Sequence, residues 1–242
     1  MPSEETREGR PASTPPDRRA ALLFVGGLLI ALVVVGAILL ITGGDGDSGS
    51  SADTSATIEC TPVSDDGGTE DCPTEVVTEP ANVAVSTSEG DFEFSLDVDA
   101  SPATTTSFRH LVEDGFYDGL TFSRVVPGFV IQGGDPLADD PQMAGSGGPG
   151  YYVDETVPDG TTYTQGVVAM AKTGTDPPGR SGSQFFVVSG ADAGLPPDYA
   201  YVGKVVSGLD TVKQIESLGV GDGPPSKKVT IDEMTIVPAG GS

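Results

Sequence analysis

Apolar and polar residues alternate in short runs from residue 81 onward, and glycine- and proline-rich segments separate these runs. The stretch NVAVSTSEGDFEFSLD, from Asn82, alternates on both sides of residues 88–91, a pattern that predicts a β-hairpin. The same reasoning predicts further short strands at residues 120–126, 129–132, 166–171, 184–188, 201–206 and 228–237.

Two segments show helical rather than strand periodicity. SPATTTSF begins with Ser101 as a capping residue and Pro102 in the first turn, and Gly115 follows as a stop signal. LDTVKQIES, from Leu209, places its apolar residues on one helical face. Many short strands with two widely separated helices do not form the βαβ rhythm of a parallel sheet. The pattern therefore predicts a mainly β protein, an antiparallel barrel or sandwich.

Residues 20–41 form a continuous apolar run without a charge. At about 1.5 Å per residue a helix over this run is about 33 Å long, enough to cross a bilayer. Arg18 and Arg19 precede it, so the positive-inside rule predicts a cytoplasmic tail at residues 1–19 and a bulk that lies outside. A cleaved signal peptide is the alternative, although its apolar core is usually about 7–15 residues long.

Residues 43–80 are rich in Gly, Ser, Thr, Asp and Glu, a composition that predicts a disordered acidic linker. Both cysteines of the chain, Cys60 and Cys72, fall in this segment. Two thiols in an oxidising compartment would pair, which predicts a disulfide. The organisation is then a single-pass anchor, a linker, and one folded domain at residues 81–239.

Charge and residue counts exclude several function classes. The net charge is −24, and since residues 1–19 carry four acids and four arginines, the rest of the chain holds all of the excess. Such a chain repels nucleic acid. A Cys/His metal centre has too few ligands, because His110 is the only histidine and both cysteines lie elsewhere. GSGGPG, residues 145–150, matches a dinucleotide fingerprint in spacing but lacks its strand and helix, so a loop is predicted.

The remaining polar groups sit inside apolar strands. FSRVVPGFVIQGGD contains Arg124 and Gln132, and GSQFFVV contains Gln184. A buried guanidinium needs a partner. Strand alternation predicts Val130 and Gln132 on one face and Phe129 with Ile131 on the other, until the Pro–Gly turn before them intervenes.

FSRVVPGFVIQGGD followed by GSQFFVV resembles the signature of the cyclophilin-type peptidyl-prolyl cis-trans isomerases. SEGDFEFSLDVDASPATTTSFRHLVEDGFYDG, GGPGY, GVVAMA and YVGKVVSGLDTV have counterparts in the same order, from about residue 81 to 238. The resemblance implies an eight-stranded antiparallel β-barrel capped by two helices. It implies catalytic roles for Arg124, Phe129 and Gln132, and substrate-binding roles for Val130, Ala171, Lys172, Gln184, Phe186, Leu195 and Tyr199.

The resemblance also implies the chemistry. Rotation about an X-Pro bond makes or breaks no covalent bond, so we expect no cofactor and no metal. The expected substrates are proline-containing unfolded polypeptides. The enzyme is expected to be a monomer, and the predicted anchor places it at the outer side of a plasma membrane. The alternative is a non-catalytic module at the cell envelope that binds proline-containing peptides.

The sequence departs from the family pattern at Ser123 and Val130, where many members have histidine and methionine, and in the long loop KTGTDPPGR.

Overall fold

The structure is a computed structural model that describes residues 56–240. Eight strands form one antiparallel sheet, and their bounds are β2 Ala81–Thr87, β3 Gly90–Leu96, β4 Arg124–Val126, β5 Val130–Gly133, β7 Val167–Met170, β9 Phe185–Val188, β10 Tyr201–Ser207 and β11 Ile231–Pro238. Their order in the sheet is β11-β2-β3-β10-β7-β9-β5-β4. A smaller antiparallel sheet contains β1 Cys60–Pro62, β6 Tyr151–Asp154 and β8 Arg180–Ser181.

The large sheet curls into a half-barrel rather than pairing its edge strands along their length. An isolated bridge between Thr121 and Thr230 links the segments that precede β4 and β11. The Phe122 N–H donates to the Val229 carbonyl at 3.0 Å, and the Ile231 N–H donates to the Leu120 carbonyl at 2.8 Å. The predicted strand at 120–126 is therefore shortened to β4, because residues 120–122 bond to the other sheet edge instead.

Two helices, α1 Pro102–Glu113 and α2 Leu209–Glu216, lie near their predicted positions. Ser101 stands at the N-cap position of α1 as predicted, but the capping hydrogen bond expected from its side chain is missing. Its hydroxyl is buried without a partner. Instead Oε2 of Glu155 accepts the N–H groups of Ala103 and Thr104 at 2.9 and 3.2 Å. A carboxylate from outside the helix thus satisfies the free donors of its first turn.

Strand alternation divides the apolar residues between two clusters. The inner cluster fills the half-barrel and includes Phe94, Phe108 and Phe185, all fully buried. A second cluster on the outer face of β5, β7 and β9 contains Val130 and Phe186. The adjacent residues Phe185 and Phe186 therefore serve opposite faces of one strand, as the two-residue period of a strand requires.

The prediction of a disordered linker at residues 43–80 is wrong for its described part. Cys60 and Cys72 form a disulfide, which the sequence predicted. The segment also contributes β1 and a small apolar cluster in which Ile58 packs with Tyr151 and Val153. Its composition is poor in apolar residues, but the disulfide restricts its conformations, and this cluster and the pairing of β1 with β6 hold it against the domain.

The predicted tail at 1–19 and the predicted membrane span at 20–41 lie outside the described residues. Between residues 56 and 240, neither helix has the length and apolar character needed to traverse a bilayer.

Candidate active site

Arg124 lies at the start of β4, where it contacts a carboxylate and an amide. Its Nε donates to Oδ1 of Asp222 at 2.5 Å and its Nη2 to Oδ2 at 3.0 Å. Its Nη1 donates to Oε1 of Gln132 at 3.2 Å, across the β4–β5 pair. The guanidinium carbon also lies 5.8 Å from the ring centre of Phe129. The side chain of Arg124 is 33% exposed rather than buried, and its guanidinium is partnered on two sides.

The ion pair with Asp222 leaves part of the guanidinium free for a ligand. A guanidinium has five N–H bonds, and the contacts with Asp222 and Gln132 use three of them. One N–H on each terminal nitrogen remains, and Arg124 lines the two cavities described below. The hydrogen bonds from Arg124 also lower the pKa of the Asp222 carboxyl below its usual range. Asp222 is therefore ionised at neutral pH.

The loop that carries Asp222 is attached to β4 itself. The N–H of Val125, the residue after Arg124, donates to the carbonyl of Gly223 at 2.8 Å. This backbone bond fixes the carboxylate beside the arginine even though the two residues are 98 positions apart in the chain.

Gln132 and Gln184 extend the polar contacts away from Arg124. Nε2 of Gln132 donates to Oε1 of Gln184 at 3.2 Å, and Nε2 of Gln184 donates to the carbonyls of Gly145 and Gly147 at 3.1 and 2.9 Å. Gln132 lies on β5 opposite Phe186 of the paired strand β9, and Gln184 lies just before β9, two residues before Phe186. A row of hydrogen bonds thus connects the arginine to residues 145–147, part of the GSGGPG loop.

A cavity of about 200 Å³, lined by both apolar and polar side chains, opens beside this polar row. Nine of the ten side chains assigned to the site from the sequence line it, namely Arg124, Phe129, Val130, Gln132, Ala171, Lys172, Phe186, Leu195 and Tyr199. The tenth, Gln184, lines an adjoining cavity of about 430 Å³ together with Arg124 and Gln132. The structure therefore brings all ten residues together, while the role of each stays a prediction.

The predicted facing of Phe129 is wrong. It packs with Val130 and Phe186 on the outer face, whereas Ile131 belongs to the inner core. Strand β5 begins only at Val130, so Phe129 still belongs to the preceding turn and does not follow strand alternation.

Tyr163, which the sequence analysis missed, fixes the rim residue Tyr199. Its hydroxyl accepts the Tyr199 N–H at 3.0 Å and donates to the Tyr199 carbonyl at 2.6 Å. Burial raises the pKa of Tyr163 to about 12, despite the hydrogen bond that its oxygen accepts from the Tyr199 N–H, which lowers the pKa. The hydroxyl therefore stays protonated, and it remains a donor at any physiological pH.

The larger cavity contains charged residues from the long loop that the sequence analysis singled out. Lys172 Nζ lies 5.3 Å from the ring centre of Tyr199 and donates to the Asp176 carbonyl at 3.3 Å. Arg180 pairs with Asp154 through two hydrogen bonds of 2.8 and 2.7 Å, which lower the pKa of Asp154. Within residues 56–240 no cluster of three or more His, Cys, Asp or Glu side chains could hold a metal ion.

Asp222 is the main site residue that sequence reasoning missed. It lies in the short run GDG, in a chain with 36 acidic residues, so no local pattern separates it from its neighbours. Only the contact with β4 marks it.

Fold and site together define a mainly β protein with an arginine and two glutamines beside a cavity that has apolar and aromatic residues on its other side, a combination suited to an enzyme that acts on peptide chains. The family model described as "Cyclophilin type peptidyl-prolyl cis-trans isomerase/CLD" matches residues 82–236. The chain therefore belongs to the cyclophilin-type peptidyl-prolyl cis-trans isomerase family, and its enzyme class is that of the peptidyl-prolyl cis-trans isomerases.

Individual relatives agree with the family match. "Peptidyl-prolyl cis-trans isomerase B" of Bacillus subtilis is 43% identical over 126 residues, which cover 52% of this chain and 82% of that protein. "Probable peptidyl-prolyl cis-trans isomerase B" of Mycobacterium tuberculosis is 35% identical over 183 residues, 66% of this chain but 56% of that protein. A crystal structure of a Cryptosporidium parvum cyclophilin matches with a TM-score of 0.58 at 29% identity, covering 65% of this chain and 97% of the other.

Proposed function

We propose that this chain isomerises X-Pro bonds in unfolded polypeptides, and that Arg124 stabilises the twisted transition state. The observation that carries the proposal is a guanidinium that lines the same cavity as Phe129, Val130 and Phe186, with N–H groups left over from its contacts to Asp222 and Gln132.

The chemistry requires stabilisation of a rotation rather than a nucleophile. Rotation about the X-Pro amide faces a barrier of about 20 kcal/mol, because conjugation of the nitrogen must be broken. In the twisted state the proline nitrogen regains a lone pair, which can accept a hydrogen bond that the planar ground state cannot. A donor placed there binds the transition state more tightly than the substrate, which lowers the barrier.

The other residues that line the cavity bind the proline ring and exclude water from the reacting bond. Phe129, Val130 and Phe186 present an apolar surface of a size and character suited to a proline ring. Water excluded from such a cavity no longer competes for the arginine N–H groups, so the hydrogen bond to the nitrogen is strengthened. Asp222 accepts from Nε and Nη2 and Gln132 accepts from Nη1, which leaves one N–H on each terminal nitrogen available. All of these residues come from one chain, in keeping with action as a monomer.

The test is the rate of cis–trans isomerisation of a short X-Pro peptide with the full-length chain purified in mild detergent. We expect the wild type to accelerate the exchange and Arg124→Ala to lose about a hundredfold or more in kcat. Arg109→Ala is the matched control, since Arg109 pairs with Glu113 on α1, and it should retain full activity. Peptide affinity without acceleration by the wild type would favour a binding module instead and would overturn the proposal.

We also propose that residues 20–41 hold the enzyme in a plasma membrane, with the folded domain on the outer side, where it assists the folding of secreted proteins. The charge-free apolar run, the arginines that precede it and a disulfide of the kind common in oxidising compartments support this placement. The chain should stay in the membrane pellet after alkaline carbonate extraction, and protease added to intact cells without an outer barrier should digest the domain. Release of the full-length chain by carbonate, or full protection from protease, would contradict the proposal.

A further inference from the structure

Residues 60–72, closed by the Cys60–Cys72 disulfide, form an element that we call the clasp. The clasp lies outside the family match, which begins at residue 82. Strand β1 pairs with β6, the Val63 N–H donates to the Gly150 carbonyl at 2.8 Å, and the Glu70 N–H donates to the Pro149 carbonyl at 2.9 Å. The clasp is therefore attached to the end of the GSGGPG loop, whose first residues line the larger cavity.

Asp66 is the centre of this attachment. It is 4% exposed, and its carboxylate accepts the N–H of Gly150 at 2.9 Å and that of Gly68 at 3.1 Å. Its backbone carbonyl accepts the N–H of Gly148 at 2.9 Å. Burying a carboxylate is unfavourable unless such donors replace water. Asp66 thus binds the loop at two backbone positions and the clasp at one.

The two segments approach each other more closely than side chains would permit. A Cβ atom on Gly68 would lie 2.0 Å from the Pro149 carbonyl carbon, and one on Gly148 would lie 2.6 Å from Oδ2 of Asp66. Glycine at both positions allows this contact. A fit of this kind holds the loop in one position rather than merely covering it.

The other end of the loop orients the site amides. Because the carbonyls of Gly145 and Gly147 both accept from Nε2 of Gln184, that side chain must present its oxygen to Gln132. Gln132 must then donate from its nitrogen and present its oxygen to Arg124. An amide has one donor end and one acceptor end, so the loop carbonyls and the guanidinium specify the same orientation for both glutamines.

We propose that Asp66 is a positioning residue for the isomerase reaction. It acts through the GSGGPG loop, Gln184 and Gln132 on the guanidinium of Arg124, and the disulfide keeps the clasp in place for this role. The inference rests on the proposed function above, since it assigns to the clasp a part in the same site.

The test compares Asp66→Asn with Asp71→Asn in the full-length oxidised chain. Asparagine at position 66 keeps the size of the side chain, but it turns an N–H donor toward one of the two backbone N–H groups that Asp66 accepts. We expect kcat to fall about tenfold with KM within about twofold of the wild type. Asp71 belongs to the same clasp but is exposed, so Asp71→Asn should behave as the wild type.

A double variant separates positioning from general destabilisation. If Asp66 acts through Gln184, then Asp66→Asn should add nothing to the loss caused by Gln184→Ala. The side-chain amide signals of Gln184 and Gln132 in nitrogen–proton NMR spectra should shift in Asp66→Asn and stay in place in Asp71→Asn. The Cys60→Ser/Cys72→Ser variant should show the same shifts if Asp66→Asn fails to fold.

The outcomes distinguish this inference from the proposed function. Full additivity of Asp66→Asn and Gln184→Ala would overturn the positioning role and leave the isomerase proposal intact. Gln184 amide signals that stay unshifted in both Asp66→Asn and Cys60→Ser/Cys72→Ser would do the same. A wild type without isomerase activity would overturn the proposed function, and the Gln184 signals would still decide whether Asp66 orients that side chain.

Discussion

The site has two walls of different construction. The apolar wall, made of Val130, Phe186 and their neighbours on β5, β7 and β9, forms from strand alternation and packs as a small cluster of its own. The polar wall also begins on strands, with Arg124 and Gln132, but its geometry depends on Asp222 and on the glycine loop, both remote in sequence. Local periodicity thus produces a pocket, whereas the orientation of the arginine requires contacts that only the complete fold provides.

The two walls should differ in the kinetic parameter that they control. Apolar packing acts on the bound peptide in both its planar and its twisted state, so its loss should appear mainly in KM. A directed hydrogen bond to the proline nitrogen exists only in the twisted state, so its loss should appear in kcat.

The largest effect is expected for Arg124→Lys, which keeps the charge but removes the planar fork that contacts Asp222 and Gln132 together. We expect kcat to fall by about a hundredfold and KM to change by less than about threefold, from steady-state kinetics on an X-Pro peptide. The melting temperature serves as the control and should remain near the wild-type value. A change confined to KM would show that both walls act in the same way.

Asp222→Ala should have the second largest effect, a fall in kcat of about tenfold, because the guanidinium loses its two-point contact. In the Arg124→Lys background the same substitution should have almost no effect, since the partner it orients is gone. The control is Asp139→Ala, which removes an exposed carboxylate paired with Lys228 and should leave kcat unchanged. An equal fall in kcat in the wild-type and Arg124→Lys backgrounds would show that Asp222 does not act through Arg124.

A smaller effect is expected at the apolar wall for Tyr199→Leu. The ring of Tyr199 meets Phe186 edge-on at 5.6 Å and Tyr163 at 5.8 Å between ring centres. Such contacts contribute about 0.5–1.5 kcal/mol each beyond their buried area, so KM should rise about three- to fivefold while kcat holds. A fall in kcat with constant KM would contradict the prediction that the apolar wall controls KM and the polar wall controls kcat.

The smallest effect is expected from acid. Because its folded-state pKa is depressed, Asp222 stabilises the pair with Arg124 above the ordinary aspartate pKa of about 4, and this contribution is lost as pH falls through the lowered pKa. The kcat of the wild type should stay constant from about pH 8 to 5 and change less than about twofold at pH 4. Asp222→Asn should lack the further decline at lower pH. An identical decline in both proteins would assign it to another group.

Much of the fold could be predicted because its determinants are local. The hairpin of β2 and β3 and both helices follow from residue spacing alone, and the resemblance in the strand motifs located all ten lining residues. The facing of Phe129 was mispredicted for a local reason, the turn that precedes β5. Three other failures share one cause, a partner distant in the chain. Glu155 replaced Ser101 as the cap of α1, and residues 120–122 bonded to the far sheet edge. The loop that carries Asp222 is held beside Arg124 by the hydrogen bond between the Val125 N–H and the Gly223 carbonyl, which no sequence periodicity predicts.

The clasp has a practical consequence for anyone who prepares this domain in isolation. A recombinant fragment trimmed to the family boundary at residue 82 would discard Ile58 and both half-cystines and leave Tyr151 and Val153, now 2% and 1% exposed, facing solvent. Such a fragment should be prone to self-association. Expression that starts upstream of residue 56, in a host that oxidises thiols, is therefore the sounder route to crystals.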